Sequence, residues 1–266
     1  MNNYTIEQHT FVICAYKESP FLEECVKSLM AQTKKSHVIL VTSTPCQYIE
    51  KVVDKYNLPY FINTGEKGIA EDWNFAISKV TTPLVTIAHQ DDIYEPEYAK
   101  RMLESINKHD RTLIAFCDYG ELRNGVKVDT NRLLRVKRFL LRKLRNPKNQ
   151  TKGIKKKGAL KFGSAICCPS VTINLDCVET PVFKHQFKSN VDWQAWYNLT
   201  ERDGAFAFCD EILMYHRIHE GSETSNIIAD NKRSQEDYEM FCMFWPKWIA
   251  KIISSVYKQG EKSNKV

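Results

Sequence analysis

The chain has 266 residues, a net formal charge of +6, and 43% hydrophobic and 11% aromatic residues. That apolar content can fill a core and excludes disorder for most of the chain, while no window reaches the ~18–20 uninterrupted apolar residues of a spanning helix. The charge is unevenly placed: residues 130–175 hold 13 Lys or Arg and no Asp or Glu, leaving the rest of the chain at −7. An acidic body with one basic insert argues against a whole-chain nucleic-acid binder and points to a local anionic partner.

The length suits one large domain, or a domain with an appended module. The first ten residues are polar and lack the pattern of a signal peptide, so a cytoplasmic location is expected. The nine cysteines are odd in number and irregularly spaced, with no C-x-x-C pair, which reads as reduced thiols and not as a zinc site.

In chain order, Phe11–Ala15 is an apolar run fit for a buried strand. Phe21–Gln32 follows with Leu22, Cys25, Val26 and Leu29 at helical spacing. Val38–Val41 predicts a strand, Tyr48–Tyr56 a helix, Tyr60–Ile62 a strand and Ala70–Val80 a helix. Leu84–Ala88 predicts a fourth strand, which runs into His89-Gln90-Asp91-Asp92. This alternation implies an α/β fold, a largely parallel sheet flanked by helices, with ligands beyond the carboxyl ends of its strands. A helix over Pro96–Lys108 and a strand over Leu113–Cys117 come next, and then the alternation fades.

Asp91 and Asp92 are adjacent carboxylates at a strand end. Two readings stand on the residues alone: a turn that caps the next helix, or a pair neutralised by a hard divalent cation.

The segments FVICAYKESPFLEECVKSLMAQT and NTGEKGIAEDWNFAISKVTTPLVTIAHQDDIY together resemble family 2 glycosyltransferases of the GT-A fold. Four features carry the likeness: Tyr16 and Glu18 after the first strand; the Gly68-Ile69-Ala70 turn before a helix containing Asn74; the acidic signature His89-Gln90-Asp91-Asp92; and Tyr215-His216-Arg217-Ile218-His219. The resemblance covers residues 10–118 well and 164–225 more thinly.

It implies a Rossmann-like nucleotide-binding half and transfer of a sugar from a nucleoside-diphosphate sugar to an acceptor hydroxyl, with inversion. A role in polysaccharide or glycolipid assembly, with a carbohydrate or lipid-linked acceptor, goes with it. It further implies Mn²⁺ or Mg²⁺ held by Asp91, Asp92 and His219, and a general base at Asp192. Donor contacts would come from Tyr16, Glu18, Thr42, Gly68, Asp72, Asn74, Gln90 and Arg217. Acceptor contacts would come from Trp193 and Trp196.

On the residues alone, Asp192 also suits a helix cap, the two tryptophans also suit a core, and His219 stands before Gly221-Ser222-Glu223-Thr224, similar to the family's closing loop. Two departures are expected to matter: the second strand ends in Thr42-Ser43-Thr44 without a carboxylate, and His89 replaces the first acid of the signature. They keep a non-catalytic sugar-nucleotide binder as the rival. A nucleotidylyltransferase is disfavoured by the glycine-free loop after strand one.

The domain reading is 1–230 for the transferase, with a donor half 1–118, an acceptor half 119–230 and a basic insert 130–162. Residues 231–266 read as a C-terminal helical extension and tail. Arg132–Arg145 reads as an amphipathic helix, with Arg135, Arg138, Arg142 and Arg145 opposite Leu133, Val136, Leu140 and Leu144. Asn146–Lys157 reads as a loop. Three readings of the insert compete: packing with a solvated cationic face, attachment to an anionic membrane surface (a peripheral protein), or capture of an acidic acceptor or nucleic acid. Nucleic acid is the weakest, since no binding motif accompanies the charge. Phe241–Tyr257 is aromatic and apolar, broken by Pro246; packing on the domain is expected in preference to the alternative, a place in a membrane interface where Trp and Tyr are favoured.

Overall fold

The computed structural model describes residues 3–219 and 232–261. The alternating N-terminal pattern becomes β1 (His9–Ala15), α1 (Leu22–Met30), β2 (His37–Thr42), α2 (Gln47–Tyr56), β3 (Tyr60–Ile62), α3 (Ile69–Ser78) and β4 (Leu84–His89). β5 (Ile93–Tyr94) and α4 (Tyr98–Ile106) follow. The strands β3, β2, β1 and β4 lie side by side and wholly parallel. β1 sits between β2 and β4, is buried along nearly its full length, and reads as a continuous apolar run for that reason.

Successive side chains of β1 serve opposite faces. Phe11, Ile13 and Ala15 join Leu22, Cys25, Leu29, Ile49, Tyr98 and Met102 in one core layer. Val12 joins Ala76, Ile77, Leu160, Trp193, Trp196 and Phe241 in the other. The helices therefore cover both faces of the sheet.

β6 (Thr112–Arg123), β7 (Val126–Val128), β8 (Val171–Asn174) and β9 (Ala205–Ile218) complete a nine-stranded sheet, in the order β3-β2-β1-β4-β8-β6-β9-β5 with β7 on β6. Here the pairing is mixed: β8 is antiparallel to both β4 and β6, and β6 runs parallel to β9. β5 pairs antiparallel with β9 at Ile93–Tyr215 and Tyr94–Met214, so the acidic turn between β4 and β5 is clamped against the end of β9.

The basic insert lies between β7 and β8. It forms α5 (Arg132–Leu141), a 3-10 turn (Arg142–Arg145), α6 (Pro147–Gln150) and α7 (Gly153–Leu160). The stretch expected to be a loop is thus two helices. Asn146 caps the first, its side chain accepting from the Lys148 N–H, and Pro147 stands in the first turn where its missing N–H costs nothing.

The apolar side of α5 also differs from expectation. Leu134, Leu141 and Leu144 are buried, whereas Val136 is 51% exposed. The inward face is set by polar partners as much as by leucines: Arg138 donates to Asp118 (2.5 Å) and Lys137 to the Tyr119 hydroxyl (2.6 Å). A minority of the insert's cations is matched by carboxylates inside the molecule. Arg145 pairs with Asp210, Lys157 with Glu201, and the fully buried Lys156 donates to the carbonyls of Arg202 and Gly204. These pairs tie the insert to the rest of the fold.

α8 (Val191–Thr200) follows β8, and α9 (Lys232–Phe244) and α10 (Lys247–Glu261) close the described chain, broken at Pro246 as expected. Trp193 of α8 meets Phe241, Phe244 and Tyr257 ring to ring. Gly163 has φ +147°, and a Cβ there would sit 2.7 Å from the Tyr257 ring, so α10 approaches the backbone where only glycine leaves room. Gly221–Thr224 and the final residues 262–266 lie outside the described residues.

Candidate active site

The ends of β1, β2 and β4 open onto one cavity of about 1130 Å³. Its near wall is built from strand-end loops, as open α/β sheets dictate. Its far wall comes from the start of α8, from Lys137 of α5, and from Arg233 and Tyr257 of the two C-terminal helices. The volume exceeds the ~300–1,000 Å³ of most single-ligand sites, which leaves room for two substrates.

On the near wall, the loop after β1 presents Tyr16, Lys17 and Glu18. The Gln90 side chain fixes it, accepting from the Tyr16 N–H (3.1 Å) and donating to the Tyr16 carbonyl (2.8 Å). Lys17 has φ +56°, an uncommon conformation for a side chain, and its N–H donates to Thr44 Oγ1 at 2.6 Å. Thr42, Ser43, Asn63 and Gly68 continue the wall.

Asp72 brings a carboxylate beside the strand-two loop. From α3 it accepts from Ser43 Oγ and Asn63 Nδ2, both at 2.8 Å, and so ties β2 and β3 to the helix. Gly68 opens α3 with φ +155°, which favours glycine.

The acidic turn divides its two carboxylates between different environments. Asp91 faces the cavity, and His219 Nε2 donates to its Oδ2 at 2.9 Å. Burial pushes the Asp91 carboxyl up, but the His219 hydrogen bond and the His216 and His89 charges outweigh it and hold the group below its ordinary range. Asp92 is fully buried and does not line the cavity. Its Oδ1 accepts from the Arg217 N–H (2.9 Å) and His216 Nδ1 (3.0 Å), which ties the turn to β9. Burial works against the charged imidazolium of His216, yet the Asp92 and Asp91 charges and the Asp92 hydrogen bond raise it to about 9. His89, in place of the first acid, stacks on Trp73 at 5.3 Å, and both line the cavity.

Asp192 stands in the first turn of α8 and lines the cavity. Burial raises its carboxyl above the ordinary range, against the opposing pull of the Trp193 N–H, Lys137, Arg233 and His89. A carboxyl raised in this way is a stronger proton acceptor near neutral pH. The loop before it is held from α9. Glu236 accepts from the N–H groups of Lys188 and Ser189 (2.8 Å each) and Asn190 (3.2 Å) and from the Ser189 hydroxyl (2.5 Å); Asn190 donates to Asp237 (2.8 Å).

Of the residues singled out in the sequence, Tyr16, Glu18, Thr42, Gly68, Asp72, Gln90, Asp91, Asp192 and His219 all meet at this cavity. Five do not. Asp92 is a buried brace. Asn74 exchanges two hydrogen bonds with the Phe183 backbone (2.7 and 3.1 Å) and pins the loop before α8. Arg217 is 6% exposed; it pairs with Glu24 (2.5 Å), donates to the Asp91 carbonyl (2.8 Å) and covers the Phe21 ring. Trp193 and Trp196 are fully buried core residues, with no face open to a sugar.

The sequence reading passed over Lys137, His216, Arg233, Tyr257 and Glu236. Only His216, inside the quoted Tyr215–His219 segment, carried a local signal. The others lie on helices whose facing depends on distant partners.

The fit of a divalent cation rests on the donor set. Asp91 and His219 offer one carboxylate and one imidazole at the cavity wall, and no cluster of three His, Cys, Asp or Glu side chains suited to a metal occurs among the described residues. Such a set suits a Mg²⁺ or Mn²⁺ completed by diphosphate oxygens, since these hard ions commonly take one or two carboxylates and substrate phosphates.

The profile of "Glycosyl transferase family 2" matches residues 10–168, more than half of the chain. Among solved structures, the chain resembles TarS 1-349 of S. aureus in complex with UDP-GlcNAc, with a TM-score of 0.63, 15% identity, and coverage of 87% of this chain and 64% of that one. The same enzyme with UDP gives 0.58 and 15% over 89% and 70%. The mannosyltransferase PcManGT from Pyrobaculum calidifontis, in complex with GDP-Man and Mn²⁺, gives 0.58 and 14% over 94% and 69%. The chain thus spans slightly less than two thirds of the first TarS structure. At these identities the likeness establishes the fold, which is the expected GT-A type. No curated protein matches the chain.

Proposed function

The chain belongs to glycosyl transferase family 2, and on that premise we propose that it transfers a sugar from a nucleoside-diphosphate sugar to an acceptor hydroxyl, with inversion at the anomeric carbon. The observation that carries the reading is one cavity with two unlike carboxylates: Asp91 held ionised on the donor wall, and Asp192 raised toward a working base on the opposite wall. The nucleotide sugars bound by TarS and PcManGT support the substrate class.

In this reading the loop of Tyr16 and Glu18, with Thr42, Ser43, Asn63 and Asp72, receives the nucleoside. Gln90 keeps the first loop in register with the acidic turn. Asp91 and His219 would hold a divalent cation, Mn²⁺ or Mg²⁺, which when bound supplies Lewis-acid neutralisation of the leaving diphosphate. Asp192 accepts the proton of the acceptor hydroxyl as its oxygen attacks the anomeric carbon. The bond from that carbon to the diphosphate oxygen breaks, and its electron pair leaves with the diphosphate. One attack from the face opposite the leaving group inverts the centre. Lys137 and Arg233 oppose the rise that burial imposes on the Asp192 carboxyl. The acceptor is a carbohydrate or lipid-linked carbohydrate, and the role is assembly of a polysaccharide or glycolipid.

A thermal-shift panel of nucleoside diphosphates, with and without Mn²⁺, tests the donor site, because a ligand that binds only the folded state raises its apparent stability. At least one nucleotide should raise the melting temperature more with Mn²⁺ than without. No shift with any nucleotide overturns the reading. A shift without hydrolysis or transfer of any nucleotide sugar leaves a non-catalytic sugar-nucleotide binder.

A further inference from the structure

The last described helix, α10, has three faces at about 120° from one another, with about 100° between successive residues. Ala250, Ile253 and Tyr257 form the packing face: Ala250 is fully buried, Ile253 packs against the core, and the Tyr257 ring meets Trp193 and Phe241. Trp248, Ile252 and Val256, at i, i+4 and i+8, form a second face and are 68%, 59% and 65% exposed. Lys247, Lys251 and Lys258 share the third sector, all exposed.

An exposed stripe of Trp, Ile and Val beside a row of lysines, on a helix about 22 Å long, is the composition of a helix that lies in a lipid–water boundary. No described helix is long and apolar enough to cross a membrane. Phe162, 43% exposed and packed against Trp245 just before α10, extends the apolar edge, and Lys161 lies over the same ring.

We infer that α10 is an interfacial anchor that docks on an anionic lipid surface, with Trp248, Ile252 and Val256 at the headgroup–acyl boundary and Lys247, Lys251 and Lys258 on the lipid phosphates. The lysine row selects this occupant. In an antiparallel pair of copies joined through the apolar stripe the two lysine rows fall on one side, and like charges oppose that contact. The lipid surface instead complements both faces at once.

The contact site is distinct from the basic insert, in which Arg138, Arg145 and Lys157 pair with carboxylates of the fold. It also orients the protein. Tyr257, on the packing face, lines the cavity, so one helix borders both the lipid and the far wall of the site. Under the transferase reading, the acceptor then arrives from the membrane as a lipid-borne sugar. That consequence rests on the proposed activity, whereas the anchor does not.

Sedimentation of the full chain with phosphatidylcholine vesicles, with and without phosphatidylglycerol, tests the anchor independently of activity. The chain should pellet with anionic vesicles and be released by salt. The paired substitution Trp248→Glu and Ile252→Glu should weaken binding by on the order of tenfold or more. Lys247→Gln, Lys251→Gln and Lys258→Gln together should abolish the preference for anionic lipid, and circular dichroism should find both variants folded. The insert pair Val136→Glu and Phe139→Glu should bind like the parent. The inference is overturned by absence of binding to anionic vesicles, by α10 variants that bind like the parent, by loss of binding in the insert pair alone, or by a parent dimer that Trp248→Glu with Ile252→Glu converts to monomer.

Discussion

The two walls of the cavity are built by opposite strategies. The near wall is a set of loops at the ends of parallel strands, where each residue follows its strand by a few positions. The far wall is assembled from helices spread over about 120 residues of the chain: Lys137, Asp192, Arg233 and Tyr257. The near wall owes its shape to backbone pairing and short local bonds such as Gln90 to Tyr16. The far wall owes its shape to side chains that reach across the fold, such as Glu236 to the loop before α8. A site made this way can keep its near wall fixed while its far wall varies with the elements packed behind it.

The largest expected effect separates chemistry from donor binding. Asp192→Asn should lower kcat by roughly 10²–10⁴, the usual worth of a general base, while nucleotide thermal shifts stay intact. A nucleotide shift lost together with activity would dissolve the distinction between the walls. In the parent, the acid limb of the rate profile should lie above the ordinary carboxylate range, because burial raises Asp192 and only the ionised form accepts a proton.

The second test lies within the near wall. Asp92→Ala should cost on the order of 1–3 kcal/mol of stability, since it leaves the buried Arg217 N–H and His216 Nδ1 without their carboxylate acceptor. Asp91→Ala should cost little stability but remove the Mn²⁺-dependent part of the nucleotide shift. Urea titration and thermal shift of both variants read the two effects, and equal behaviour would refute the division of labour between adjacent aspartates.

A smaller effect checks the sheet itself. His9 is buried between Ser36 and Thr86, and burial lowers it from 6.5 to about 3. In the unfolded chain it binds a proton below about 6.5, so the folded state loses stability as pH falls from there toward 3. Urea titration at pH 7 and pH 5 should register about 2 kcal/mol less stability at the lower pH from this group, and His9→Gln should flatten that slope.

The smallest effect probes the far wall. Glu236→Ala should cost about 1–3 kcal/mol, because it leaves three N–H groups without their carboxylate. If Glu236 positions Asp192, kcat should fall with nucleotide binding unchanged; a loss of stability alone would assign it to packing.

The sequence by itself determined the parallel half, because each strand and helix there carries its own period and each loop follows the strand that aims it. Asp91, Gln90, Tyr16 and Asp72 were legible on that account. Tertiary structure decided what spacing cannot encode. Asp92 and Arg217 have functional residue types at functional positions, but β9 and α1 consume their hydrogen bonds. Trp193 and Trp196 share a face that suits a sugar or a core equally, and α9 and α10 make it a core. The basic helix was legible as amphipathic, yet Asp118 and Tyr119 turned Lys137 and Arg138 inward and left Val136 in water. A period fixes which residues share a side of a helix, while the partners on the neighbouring elements fix which side is buried.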